Sequence, residues 1–147
     1  MLKKVKRIIL KMFREFLVYH HGSLEFRAKL LTLMVSSNLK VCECEKKKLK
    51  EIAYKIYPKD PERAELMIET VDEYHQKIIK SNGLNFEHLI QQVARDIKTV
   101  KKYSKKIDIG LLMELHECVK DDAENYIFQE RIIEFLQDLK DEYGDVK

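Results

Sequence analysis

Apolar residues recur at three- and four-residue intervals along nearly the whole chain, and each such run predicts an amphipathic helix. The first covers residues 2–19, where Leu2, Val5, Ile9, Met12, Phe13 and Phe16 form one stripe. The next, 24–37, has the widest apolar face (Phe26, Leu30, Leu31, Leu33, Met34, Val35), which predicts a central helix. Further runs cover 44–57, 61–81, 86–100, 107–120 and 127–142. Punctuation falls between them. Gly22 reads as the C-terminal cap of the first helix and Ser23 as the N-cap of the second. Pro58 ends a helix, and Asp60-Pro61 opens one with a cap followed by proline at its first position. Asn82-Gly83 is a stop, Asn85 a cap, and "KKYSKK" at 101–106 a polar connection. The expected fold class is therefore all-α, a single compact bundle of about seven helices.

Composition supports that reading. Only four glycines and two prolines interrupt 147 residues, a length suited to one domain. No run reaches the roughly 20 apolar residues that a membrane-spanning helix needs. Net charge is +3, but it is unevenly placed: of 28 basic residues, Lys3, Lys4, Lys6, Arg7, Lys11 and Arg14 lie in the first 14 positions with no acid among them. The remaining 133 residues hold 22 bases against 25 acids. The division expected is a basic amphipathic helix at 1–22 followed by a helical domain at 23–147. The helix could dock on the domain, contact a protein partner, or lie on an anionic membrane surface. The acidic balance of the body argues against nucleic acid. Three cysteines do not make a disulfide framework, and no secretory leader opens the chain, so a reducing, cytoplasmic location is expected.

Two passages share a plan. "FRAKLLTLMVSSNLKVCECEKKKLKEIA" and "DIGLLMELHECVKDDAENYIFQERIIEFLQ" each give an apolar helix, a short polar loop and a second helix. Asn38 precedes Glu45 by seven residues, and Asp122 precedes Glu130 by eight. An internal helix–loop–helix duplication would produce this echo, as would two equivalent packing positions. The pattern over about 24–142 resembles the TerB-like family, tellurite-resistance-associated helical domains related to the N-terminal region of the DjlA co-chaperones. In that family an Asp-Gly loop and a following glutamate occur twice. Here Asn38-Leu39 and Asp122-Ala123 stand at the loops, and Glu45 and Glu130 at the glutamates. The resemblance implies a stress-response module whose acidic residues meet near one end of the bundle and hold a divalent cation.

The ligands that resemblance nominates are Glu45, Asp122 and Glu130, with Asn38, Asp121 and Glu124 as further candidates. Such oxygen donors suit calcium or magnesium. The same carboxylates could simply favour helix N-termini through the helix dipole. Zinc is disfavoured. Cys42 and Cys44 are one residue apart rather than two to four, and His116 and Cys118 share a helix at a spacing that points them apart. Cys42 reads as a small buried hydrophobe, Cys44 as a partly exposed bystander, and His75 and His88 as isolated. The phenylalanines, Phe128 included, read as core. No nucleophile setting or phosphate loop appears, so the expectation is a non-enzymatic binding or adaptor module. It would act on a protein partner or a second copy of itself. An interaction protein without metal and a small helical enzyme are the alternatives.

Overall fold

In a computed structural model, residues 22–37, 40–80 and 86–144 are described, and all secondary structure among them is helical. The elements are α1 (Gly22–Val35), α2 (Glu43–Ile56), α3 (Pro61–Ile79), α4 (Phe86–Thr99), α5 (Ile109–His116) and α6 (Ala123–Gly144). Two short 3-10 helices, Lys101–Lys106 and Glu117–Val119, flank α5. The predicted helix at 2–19, the cap at Asn85 and the loop residue Asn38 lie outside the described residues.

Helix α1 occupies the middle, as its broad stripe predicts. Nine of its 14 residues are buried, including the whole run Leu30–Val35. Helices α3, α4, α5 and α6 and the 101–106 turn all pack on it. Thr32 survives inside that core because its hydroxyl donates to the Ala28 carbonyl at 2.7 Å, so no polar group is left unpaired. The cap at Asp60 forms as expected: its carboxylate accepts from Arg63 N at 3.1 Å, with Pro61 behind it. Asp108 caps α5 in the same way, accepting from Leu111 N at 3.2 Å.

Several boundaries differ from the sequence reading. Gly22 and Ser23 are not caps but the first residues of α1. A Cβ at 22 would run into the Tyr103 hydroxyl, so a larger residue there would ask the Tyr103 side chain to shift. "KKYSKK" is a 3-10 helix rather than a polar link. Its Ser104 is buried, and Tyr103 stacks on Phe26 with ring centroids 4.9 Å apart. The 107–120 helix is shorter, because the chain tightens into a 3-10 turn after His116. Helix α6 starts four residues early, at Ala123, because Asp122 is its cap. Phe128 is not core. It is 38% exposed, and with Tyr126, Ile127 and the α5 residue Met113 it is one of the exposed large hydrophobics.

Candidate functional site

The two echoed units meet at one end of the bundle, and their meeting point is polar. Helix α2 opens at Cys42, whose backbone is extended, and Glu45 falls at the third helical position. From there its carboxylate reaches back, and Oε1 accepts from Cys42 N at 3.4 Å and Cys42 Sγ at 3.3 Å. The other oxygen faces inward. Glu45 Oε2 accepts from Gln129 Nε2 at 3.1 Å, across 84 residues of sequence. Glu45 is 1% exposed and Gln129 0%.

Gln129 joins three elements. Its Nε2 also donates to the carbonyl of Met34, near the end of α1, at 2.9 Å, and lies 3.5 Å from Ser37 Oγ. Its Oε1 lies 3.2 Å from Nδ1 of buried His116, at the end of α5. A carboxamide oxygen only accepts, so this contact requires His116 to carry its proton on Nδ1. Nε2 is buried and without a hydrogen-bond partner. The imidazole face stacks on Tyr126, centroids 4.1 Å apart.

A covalent link runs beside this network. Cys44, in the first turn of α2, is disulfide-bonded to Cys118 in the turn after α5, with Cα atoms 5.6 Å apart. That corrects the reading of Cys44 as a bystander and of the cysteines as unpaired. Cys42 is the free thiol, and it is exposed rather than buried. Its pKa is held above the ordinary value, chiefly by partial burial, with the Glu45 carboxylate adding to the rise. Near neutral pH less of such a thiol is in the reactive thiolate form than of an ordinary cysteine.

The nominated ligands separate into different roles. Glu45 is committed to the network just described. Asp122 caps α6: its Oδ1 accepts from Asn125 N at 3.4 Å and Oδ2 from Asn125 Nδ2 at 2.6 Å. Glu130 is exposed and sits two turns inside α6, so it is not at a helix start as the 127–142 boundary had placed it. Asp121 and Glu124 are exposed. Among the described residues, no three His, Cys, Asp or Glu side chains gather into a metal-holding group. Of the zinc quartet considered from sequence, two members are bonded to each other. Cys42 donates to Glu45, and His116 is paired with Gln129.

The residue sequence reasoning missed is Gln129. A signal for it exists: the buried positions Asn125, Gln129, Ile132, Leu136 and Leu139 follow one helical stripe whose first two members are polar. Polar residues on an inward stripe need partners, and here they have them. His75, read as isolated, is also buried, with Ser36 Oγ 2.9 Å from its Nδ1. No family model, no curated protein and no solved structure matches this chain.

Proposed function

We infer that the chain is a non-enzymatic binding or adaptor module of the TerB-like kind, acting in stress response by association with a protein partner or a second copy of itself. The observation that carries this is the exposed apolar cluster at the start of α6. Tyr126, Ile127 and Phe128 follow one another there, Ile127 at 57% exposure, and Phe128 rests on Phe86 with centroids 5.1 Å apart. Successive helical residues point about 100° apart, so Tyr126 turns to His116 and Phe128 to Phe86, and Ile127 between them is the apolar side chain most open to a partner.

A divalent cation at Glu45 and Asp122 has to compete with protein donors. Both oxygens of each carboxylate already accept hydrogen bonds. This favours a module that works without a resident ion. Among the described residues no helix is long and apolar enough to cross a membrane. A cytoplasmic setting rests on composition, whereas the Cys44–Cys118 bridge suits an oxidising one.

Two measurements on the full chain test the reading. Sedimentation over a range of concentrations, with Ile127→Glu beside the parent, reads association through this face. Parent and variant behaving alike, alone and with any candidate partner, would sink the role of the cluster. Calorimetric titration of calcium and magnesium into metal-free protein reads the ion, and saturable binding abolished by Glu45→Ala would restore the cation reading.

A further inference from the structure

Ile127 faces away from the bundle. The buried stripe of α6 is Asn125, Gln129, Ile132, Leu136 and Leu139, and at about 100° per residue Ile127 lies on the opposite side of the helix. Its neighbours one turn away on that outer side are Glu124, Glu130 and Arg131, with Glu134 a turn further, all of them exposed. An isoleucine in the middle of a charged face does nothing for the core. The geometry points to one occupant: a lysine- and arginine-rich amphipathic segment of another protein, which lays an apolar side chain on Ile127 and its bases along the acids of α6. This rests on the association read above for Ile127 and names the chemistry of the partner.

Charge selects that partner. Helix α6 holds six exposed acids, Glu124, Glu130, Glu134, Asp138, Asp141 and Glu142, against two bases. Lys140 turns toward the bundle, where its Nζ donates to the Ile107 carbonyl at 2.8 Å, and Arg131 Nη1 lies 3.7 Å from Glu134 Oε2. With α6 set aside, residues 15–147 hold 20 bases against 19 acids, so the acidic excess of the body is the excess of this one helix. The turn leading into it adds Asp121 and Asp122 against Lys120, all exposed.

A field of that sign discriminates between surfaces. Lipid phosphates and nucleic-acid backbones are anionic and are repelled by it. A second copy laying α6 on α6 would set one acidic face against another. A lone cation would answer the acids and leave Ile127 in water. A basic amphipathic segment answers both. The acids from Glu124 to Glu134 span about 15 Å of helix, so about ten residues of a partner helix cover them.

Fluorescence anisotropy of a fluorescein-labelled helical peptide of leucine and lysine, titrated with the full chain, tests this. A leucine–glutamate peptide of the same pattern is the control. The expected result is saturable binding of the lysine peptide, weakened by added salt, and none of the glutamate peptide. Ile127→Gln, and separately Glu130→Lys with Glu134→Lys, should each weaken binding about tenfold while circular dichroism keeps its helical content. Glu62→Lys with Glu69→Lys, exposed positions on α3, should leave it unchanged. No saturable binding of the lysine peptide, or equal weakening by the α3 reversals, overturns the proposal. Equal binding of both peptides through Ile127 overturns the basic partner and leaves the association reading standing. Binding that follows the α6 acids but ignores Ile127→Gln rests on charge alone and removes Ile127 from both readings. Sedimentation that shows copies associating through Ile127, with no binding of the lysine peptide, assigns the face to a second copy and overturns the proposal. Should Ile127→Gln fail to fold, Ile127→Ala removes the same contact.

Discussion

Glu45 and Gln129, 84 residues apart, bond to each other at 3.1 Å with neither reaching solvent. The donors described for this carboxylate are an amide N–H, a thiol and a carboxamide, all neutral. Among the described residues Gln129 thus links Glu45 to α6, and it is the partner of the Met34 carbonyl as well. Removing it strands two buried acceptors at once, each costing a large part of its desolvation.

Gln129→Leu, similar in size and unable to donate, should therefore destabilise the chain by about 2–4 kcal/mol. Glu45→Gln should cost less, because it removes a buried charge and keeps an acceptor. A double-mutant cycle in urea should give a coupling of about 1–3 kcal/mol. A coupling near zero would show that the two side chains act separately.

The Cys44–Cys118 bridge closes a loop of 74 residues. By chain entropy such a loop stabilises the folded state by roughly 4 kcal/mol. The urea midpoint should fall on adding a dithiol reductant, and the Cys44→Ala/Cys118→Ala chain should already sit at the lower midpoint and ignore the reductant. Equal midpoints for the oxidised and reduced parent would contradict this.

Asp122 and Glu130 should part company. Asp122→Ala removes the α6 cap and its bond to Asn125, at a cost of about 1–2 kcal/mol with or without added cation. Glu130→Ala, on the exposed face, should stay within about 0.5 kcal/mol. Thermal unfolding of both variants, in chelator and in calcium, separates a capping role from a ligand role.

Cys42 yields a pH dependence of defined sign. Its folded pKa lies above the ordinary value, so the folded chain keeps this proton at a pH where the unfolded chain has lost it. Stability from this group is complete below the ordinary thiol pKa and declines as pH rises through the folded value. Near pH 9 alkylation of Cys42 should be slower in the folded protein than in urea, and Glu45→Gln should quicken it. No difference between folded and unfolded rates would refute the assignment.

Much of the helical architecture was legible in the sequence because its signals are local. Apolar spacing marked α1 through α4, and Asp60-Pro61 marked the start of α3. The start of α6 was misread because Asp122 was weighed as a loop ligand, although it is a cap. The site was harder. Glu45 stood out through its place after the loop, but its partner Gln129 lies in a distant helix and resembles any surface glutamine until its stripe is traced. The spacing of Cys42 and Cys44 carries no trace of the pairing of Cys44 with Cys118, because local spacing says nothing about a partner 74 residues away.

The same bridge changes what a protease can do. Cys44 and Cys118 enclose nearly all of α2 together with α3, α4, the 101–106 turn and α5 in a single ring. One cut anywhere in that ring opens the backbone without dividing the molecule. A nicked chain would run as one species on a denaturing gel and fall into two only when reduced, so its pieces stay tethered for rejoining the fold.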